Sequence, residues 1–241
     1  MGERVAQGRG RNDFDLVTPI YDGLASLVFA GAIRRSQLAL LPELQHANRV
    51  LIIGGGTGWF LLELLRRTQA QEVFYVELSK NMIDRSHALV ARQAPEALSR
   101  VHFVHGTEAS LSQAEGTFDV IATNFFLACF DDHHCSEMIV KLHRLMRPGG
   151  RWYFVDFEQP NRGWRRWASK VLFKVMFTFF NIVSDLEARR PPDYDAGFRR
   201  VGLKPALEEN FYAGMIRSKL LVTQACLERS PSATEAPLDA A

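Results

Sequence analysis

A five-residue turn, Gly54-Gly55-Gly56-Thr57-Gly58, stands between an apolar run and a helical pattern and is suited to hold a ligand against the main chain. Glycine has no Cβ, so it can take a positive φ and let a ligand approach the backbone closely. Glu77 ends the next apolar run, 23 residues after Gly54, where a carboxylate can accept hydrogen bonds from both hydroxyls of a ribose. The plainer alternatives are a tight turn and a surface glutamate at a helix start. Together the two features predict a site for a ligand that contains a nucleoside.

The spacing of the glycines separates two classes of nucleoside ligand. A dinucleotide-binding turn needs a third glycine five residues after the first, where a helix N-terminus receives the pyrophosphate, but Trp59 stands there. S-adenosylmethionine (SAM) has no phosphate, so the tighter G-x-G-x-G turn can cover its amino-acid end. We therefore expect SAM rather than a nicotinamide cofactor. Gly106, Thr107 and Glu108 follow the third apolar run and are placed to reach the adenine, although an ordinary polar loop has the same composition.

The elements that must position these residues alternate between strand and helix. From Arg49 onward the β-rich runs are RVLII, EVFYV, VHFVH, FDVIATNFF and RWYFVDF, separated by helical segments or, after VHFVH, by a loop. The alternation predicts an α/β fold with parallel strands, right-handed crossovers and a doubly wound open sheet. The last two runs, LKPALEENFY and MIRSKLLVTQAC, are separated only by Ala213 and Gly214, which predicts a terminal antiparallel hairpin.

Length and composition indicate one folded domain. The 241 residues are 47% apolar and 23% charged, and the net charge of +2 disfavours nucleic acid as a partner. We expect a single domain over 13–228, with disordered ends at 1–12 and 229–241. Helical spacing predicts two helices over 13–41, before the first strand. Three cysteines without paired spacing, and a first dozen residues without an apolar secretion signal, predict a cytoplasmic protein.

A helical insertion is expected over 162–190. Between Arg162 and Val183, tryptophans and phenylalanines recur at helical spacing beside a row of cations, Arg166, Lys170 and Lys174. One interpretation is a core helix whose lysines reach water. The other is an interfacial helix that makes a peripheral membrane contact, or a lid over an apolar acceptor.

The acidic and histidine-rich segment 131–135, DDHHC, lies just after the fourth run and invites two chemical interpretations. Its side chains could supply a base for methyl transfer. The plainer interpretation is a helix start capped by Asp131 or Asp132. Adjacent residues on one helix do not converge on one ion, so we expect no metal site.

These motifs, taken together, resemble the class I SAM-dependent methyltransferases, and within them the ubiquinone/menaquinone-biosynthesis C-methyltransferases. The resemblance covers roughly residues 14–225. It is carried by Tyr21-Asp22, Gly-Gly-Thr-Gly at 55–58, Glu77-Leu-Ser-Lys-Asn-Met82, Phe118-Asp119, Arg147-Pro-Gly-Gly-Arg151 and Asp195-Ala-Gly-Phe198. It implies a Rossmann-like sheet of seven strands with the last strand antiparallel, and an N-terminal helical cap over the active site, formed by 13–41.

The resemblance also implies roles for single residues. Gly54, Gly56 and Gly58 would surround the methionine part of SAM, within a turn that includes Gly55 and Thr57. The other implied cofactor-binding residues are Glu77 at the ribose, Leu78 and Met82 in the same motif, Thr107 and Glu108 near adenine, and Asn124 and Phe125 beside the sulfonium. Tyr21 and Asn124 are the catalytic candidates. The family usually has an acidic residue where this chain has Ile52.

The sequence therefore predicts a SAM-dependent methyltransferase that releases S-adenosylhomocysteine (SAH). The expected acceptor is a small apolar or aromatic molecule such as a quinone precursor. A phospholipid amine is the alternative acceptor. A non-catalytic binding or regulatory domain with the SAM fold, suggested by Ile52, is the alternative to an enzyme, and Trp59 disfavours a nicotinamide-dependent reductase.

Overall fold

The computed structural model describes residues 31–158 and 190–228, which form a seven-stranded sheet with helices on both faces. The strands are β1 Arg49–Ile53, β2 Glu72–Glu77, β3 Val101–His105, β4 Phe118–Asn124, β5 Met146–Phe157, β6 Leu203–Phe211 and β7 Ile216–Thr223. The α-helices are α1 Ala32–Ala39, α2 Trp59–Arg67, α3 Lys80–Gln93, α4 Asp132–Leu145, α5 Tyr194–Arg200 and α6 Gln224–Leu227. Short 3-10 helices span Leu41–Leu44, Pro95–Arg100, Glu108–Ala114, Leu127–Cys129 and Tyr212–Gly214.

The strand order is β3-β2-β1-β4-β5-β7-β6, so the first strand of the chain, β1, lies in the interior of the sheet, next to the middle strand β4. The strands from β1 to β5 pair in parallel, and β7 runs antiparallel to both of its neighbours. The chain leaves β1 toward β3 and then returns to the other side of β1 as β4. The predicted doubly wound sheet with a terminal hairpin is therefore confirmed, and the order reverses between β1 and β4, where ligands bind in such sheets.

Strand β1 shows how the two faces of the sheet are covered. Its residues alternate between two cores: Val50 and Ile52 pack in the core beneath α2, and Leu51 and Ile53 pack in the core beneath α4 and α5. A strand with apolar residues on both faces can only sit inside a sheet that is covered twice. The continuous apolar run RVLII is thus explained by its central position.

Side-chain caps fix where the helices begin. Ser79, Asp131 and Asp193 precede α3, α4 and α5, and their side chains accept hydrogen bonds from backbone N–H groups in the first turn of each helix. These caps satisfy donors that a helix cannot satisfy itself. The starts of these three helices are therefore well defined.

Several elements begin or end at residues other than those the sequence predicts. The predicted last strand, MIRSKLLVTQAC, ends at Thr223, and Gln224–Leu227 form helix α6 instead. Helix α4 ends at Leu145, not Arg147, and β5 begins at Met146 because the backbone of Met146 pairs with Phe118 before the sheet register shifts. Strand β4 ends at Asn124 because Phe125 takes a φ of 55°, which no strand residue can have. The predicted loop after β3 contains the 3-10 helix Glu108–Ala114.

Several predicted regions lie outside the described residues. These are the ends 1–12 and 229–241, the part of the 13–41 helical region that includes Tyr21, and nearly all of the 162–190 insertion. Helix α1 occupies the described part of 13–41 and is bound to the sheet by hydrogen bonds from Ser218 to Ser36 O and from Tyr153 to Gln37 O.

Across 31–158 and 190–228, no helix combines the length and apolar character needed to cross a bilayer.

Asp119 ties the entry of β1 to the sheet. Its Oδ2 accepts hydrogen bonds from the backbone N–H groups of Asn48, at 2.7 Å, and Arg49, at 2.8 Å. We expect Asp119→Ala to lower the free energy of unfolding by about 2–3 kcal/mol, because two backbone donors lose a charged acceptor. Urea denaturation measures this loss. Asp84→Ala, which removes an exposed ion pair with Lys80, should change it by less than about 0.5 kcal/mol, and equal losses would contradict the assignment.

Candidate functional site

The glycine turn, the tip of β2 and the loop after β4 meet at one edge of the sheet. The N–H of Gly54 donates to Val76 O at 2.9 Å, which joins the turn to β2. A Cβ built on Gly54 would lie 2.4 Å from Phe126 Cδ2, so the turn also touches the loop after β4. The structure thus brings together predicted residues that are distant in sequence, at the point where the strand order reverses.

Gly56 is held from two sides by β2. Its N–H donates to Glu77 Oε2 at 2.9 Å, and its carbonyl accepts from the Tyr75 hydroxyl at 2.5 Å. Its φ is 63°, and a Cβ built on it would have no described atom within 4 Å. The backbone of Gly56 is therefore fixed on one side and open on the other.

The Glu77 carboxylate faces the turn and is 9% exposed. Its second oxygen, Oε1, accepts from the N–H of Ser79 at 3.0 Å. Each carboxylate oxygen can accept about two hydrogen bonds, so both oxygens keep capacity for a further donor. This is the arrangement that a ribose with two adjacent hydroxyls requires.

Two other glycines of the turn are required by close packing. A Cβ on Gly55 would lie 2.1 Å from Cε2 of Tyr75. A Cβ on Gly58 would lie 2.8 Å from the Cα of Ser86 on α3, and Gly58 has a φ of 84°. Side chains at these positions would push the turn away from β2 and α3.

Leu78 and Met82 continue from Glu77 along the edge. The Leu78 side chain is 44% exposed, and its carbonyl oxygen lies 2.9 Å from His105 Nε2 at the tip of β3. Met82 is half-buried in the first turn of α3, with its N–H bonded to the Ser79 cap. Leu78 therefore offers an apolar surface next to the carboxylate.

Thr107 and Glu108 lie one strand further along, after β3. The Thr107 side chain accepts from the N–H of Ala109 at 3.3 Å, and Glu108 Oε1 is 3.3 Å from Lys141 Nζ. Both side chains thus have local partners, and Thr107 is exposed.

Asn124 and Phe125 form the other wall of the site, at the end of β4. The Asn124 amide atoms Oδ1 and Nδ2 are both buried, and neither has a hydrogen-bond partner among the residues that the structure describes. Phe125 has a φ of 55°, donates its N–H to Val155 O at 2.7 Å and packs against the Phe157 ring at 4.8 Å. A buried unpaired amide and a non-glycine residue at positive φ are costly, and such features concentrate at functional sites.

Asp156, which was not predicted as a site residue from the sequence, is fully buried near the end of β5. Its carboxylate accepts from the N–H groups of Ala128, at 3.0 Å, and Phe157, at 2.8 Å. Burial raises the pKa of Asp156 to about 7, and the backbone hydrogen bonds only partly oppose that rise. Asp156 holds the 3-10 helix that follows Asn124 and Phe125. An acidic residue inside the apolar run WYFVDF was the available signal.

Tyr75 was also not recognised from the sequence. It lies two residues before Glu77 in β2, and the only signal was that a buried tyrosine needs a partner for its hydroxyl.

Ile52 and Trp59 lie on either side of the glycine turn in the sequence. Ile52 is 1% exposed and lies between Tyr75 and Ala122 in the sheet. Trp59 is half-buried, and the Arg34 guanidinium of α1 lies 5.3 Å from its ring centroid. The indole therefore packs toward α1.

The DDHHC segment has the capping role that was its plainer interpretation. Asp131 accepts a hydrogen bond from the backbone N–H of His134 at 2.8 Å, and its Oδ2 lies 2.9 Å from His134 Nδ1. These two hydrogen bonds hold the pKa of Asp131 below its ordinary value. Asp132 pairs with Arg190 and accepts from the N–H of Asp193. Within the described ranges, no three acidic, histidine or cysteine side chains are grouped so that they could hold a metal ion.

Known proteins share this fold and part of this sequence. Residues 50–150 match the model of a methyltransferase domain. A ubiquinone/menaquinone biosynthesis C-methyltransferase of Dinoroseobacter shibae is 26% identical over 71% of this chain and 68% of its own length. A demethylmenaquinone methyltransferase of Thermus thermophilus is 28% identical over 68% of this chain and 71% of its own length.

A solved structure provides the comparison of folds. The 1,6-didemethyltoxoflavin-N1-methyltransferase of Burkholderia thailandensis, solved with 1,6-didemethyltoxoflavin and SAH, superimposes with a TM-score of 0.61 and 20% identity, covering 87% of this chain and 85% of that one. The domain match, the two relatives and the seven-stranded sheet agree with one another. Residues 50–150 match a methyltransferase domain, and the protein is a SAM-dependent methyltransferase that resembles the ubiquinone/menaquinone-biosynthesis C-methyltransferase group.

Proposed function

We propose that the glycine turn, the tip of β2 and the end of β4 bind SAM, and that the methyl acceptor is a small aromatic ring of the quinone-precursor type. The observation that carries the cofactor site is the restraint of Gly56: its N–H and carbonyl are held by Glu77 and Tyr75, and no described atom would lie within 4 Å of a Cβ built on it. The residues present fit the cofactor, because Glu77 retains acceptor capacity and the Asn124 amide is unpartnered among the described residues.

Each wall of the proposed site has a separate task. Glu77 accepts hydrogen bonds from the ribose, and Leu78 lies against the adenine. The five residues from Gly54 to Gly58 cover the methionine part with backbone atoms, and Met82 supports the site from α3. Thr107 and Glu108 border the adenine side. Asn124 and Phe125 lie next to the sulfonium and the acceptor.

The bound cofactor supplies a methyl group on a positively charged sulfur. The protein mainly has to align the acceptor with that methyl group and keep water away, since proximity and orientation lower the barrier. Asn124 is suited to orient a polar atom of the acceptor through its amide, which has no partner among the described residues, and half-buried Phe125, backed by the Phe157 ring, offers an aromatic surface. Tyr21, outside the described residues, stays a further catalytic candidate.

Two features support an aromatic acceptor. Two pairs of phenylalanines lie at or just after the ends of β4 and β5: Phe125 packs against Phe157 at 4.8 Å in one core, and Phe126 against Phe130 at 5.2 Å in the other. Aromatic rings bind planar apolar molecules by stacking and edge contacts. The similar proteins of D. shibae and T. thermophilus carry the names of quinone-pathway methyltransferases.

Ile52 does not argue against cofactor binding here. It is buried among apolar residues, while the carboxylate at Glu77 and the open side of Gly56 are both retained. The membrane contact proposed for Arg162–Val183 lies outside the described residues and stays a prediction.

Glu77→Gln tests the cofactor site. The amide keeps the size of the side chain but loses the charge and one acceptor, so we expect the Kd for SAH to rise roughly 10- to 100-fold. Isothermal titration calorimetry with SAH measures this. Glu72→Gln, at the start of β2 and away from the turn, is the matched control and should leave the Kd unchanged. Equal affinities for all three proteins would refute the assignment of Glu77.

The acceptor class is tested by methyl incorporation. Purified protein, supplied with methyl-labelled SAM, should methylate a ring carbon of a reduced, short-chain demethylnaphthoquinone. The ring carbon loses a proton when it takes up the methyl group, and SAH is released. Vesicles of phosphatidylethanolamine test the lipid amine. Label in the lipid alone, or in neither acceptor while SAH binds, would overturn the proposed acceptor.

Asp156 predicts an unusual dependence of stability on pH. Because its pKa is about 7 in the folded protein and 3.8 is its ordinary value, the folded state keeps a proton that the unfolded chain releases between these pH values. Its contribution to the free energy of unfolding therefore falls as pH rises from about 4 to about 7, by up to about 1.4 kcal/mol per pH unit.

Asp156→Asn should remove that contribution, so that the variant gains stability relative to wild type as pH rises. Urea denaturation at pH 5, 6 and 7 measures the difference. Asp131→Asn is the control, because the pKa of Asp131 is lowered from 3.8, so its contribution changes only below that pH and its curve should run parallel to that of wild type between pH 5 and 7. Parallel curves for wild type and Asp156→Asn would show that Asp156 does not titrate in this range.

A further inference from the structure

Tyr75 is a fully buried side chain whose one polar atom is directed at the glycine turn. Its hydroxyl donates to Gly56 O at 2.5 Å. Residues two apart in a strand share a face, so the side chains of Tyr75 and Glu77 lie on the same face of β2 and both reach the turn. Burial, followed by the nearby Glu77 carboxylate, raises the pKa of Tyr75 well above its ordinary value, and the hydroxyl remains a donor at neutral pH.

The ring of Tyr75 also supports the turn by contact. A Cβ on Gly55 would lie 2.1 Å from Cε2 and 2.5 Å from Cζ of the ring. The backbone of Gly55 thus rests directly on the phenol, and the next carbonyl is held by its hydroxyl. One side chain therefore fixes two consecutive residues of the turn.

The turn needs such support because three of its residues in a row are glycine. Glycine loses more conformational freedom on ordering than any other residue. Glu77 restrains the Gly56 N–H, and Tyr75 restrains its carbonyl. Ile52, which lies beside Tyr75 in the sheet, has no polar side-chain atom to contribute.

We propose that Tyr75 is a positioning residue for the cofactor: it orders the glycine turn before the cofactor binds and does not itself touch the cofactor. This inference rests on the proposed SAM site. The conformational cost of ordering Gly55 and Gly56 is met when the chain folds, and binding then needs no rearrangement of the turn.

Tyr75→Phe tests this role with a close isostere, and Tyr153→Phe is the matched control. Tyr153 is also fully buried in a central strand, and its hydroxyl also donates to a backbone carbonyl, that of Gln37, at 2.8 Å. We expect both variants to show similar shifts in the urea midpoint. Only Tyr75→Phe should raise the Kd for SAH in calorimetry, by about 5- to 20-fold, because its turn must be ordered on binding.

Two further readouts separate positioning from a general loss of structure. With an accepted substrate, Tyr75→Phe should raise the KM for SAM and leave kcat at saturating SAM within about twofold of wild type. In the free protein, hydrogen exchange of a peptide that covers residues 54–60 should be faster in Tyr75→Phe and unchanged in Tyr153→Phe. The exchange experiment needs no ligand and is carried out where circular dichroism shows the variants to be folded.

The outcomes distinguish this inference from the proposed function. If wild-type protein does not bind SAH, the proposed cofactor site fails. If wild type binds and Tyr75→Phe binds equally well, with unchanged exchange, the cofactor site stands and the role of Tyr75 is refuted. Equal weakening by Tyr75→Phe and Tyr153→Phe would also refute it, since the effect would then be one of stability alone.

Discussion

The functional edge of this protein depends on the double restraint of Gly56 by strand β2. A carboxylate and a phenol, two residues apart on one strand, hold the N–H and the carbonyl of a residue that has no side chain of its own. Glycine permits the backbone conformation but cannot maintain it, so the conformation is maintained by Tyr75 and Glu77. The sheet, its two cores and the cap of α3 keep β2 and the turn at the distance that these two hydrogen bonds require.

Two buried carboxylates organise opposite walls of the site in the same manner. Glu77 accepts from backbone N–H groups of the turn and of Ser79, and Asp156 accepts from Ala128 and Phe157. Burying a carboxylate is costly unless backbone donors replace water. They differ in exposure, because Glu77 is 9% exposed beside the turn while Asp156 is fully enclosed. One is therefore suited to bind a ligand and the other to hold a loop.

The fold alone would not identify the chemistry, since one architecture supports many reactions. The domain match over 50–150 and the relatives give the reaction class, and the edge of the sheet is the place that we propose for it. Ile52, which is buried beside Tyr75, offers the turn no polar side-chain atom. In this chain the polar contacts to the turn come from β2 instead.

The sequence by itself determined the features that depend on local pattern: the glycine turn, the carboxylate at Glu77, the alternation of strands and helices, and the terminal hairpin. Each depends on spacing along one short segment. Tertiary structure decided the rest. Tyr75 reaches a partner 19 residues away, Asp156 reaches one 28 residues away, and Phe126 packs on Gly54. Those contacts exist because the strand order places β1 between β2 and β4 and places β5 beside β4. A hydrogen bond between segments distant in sequence leaves no mark on the spacing within either one.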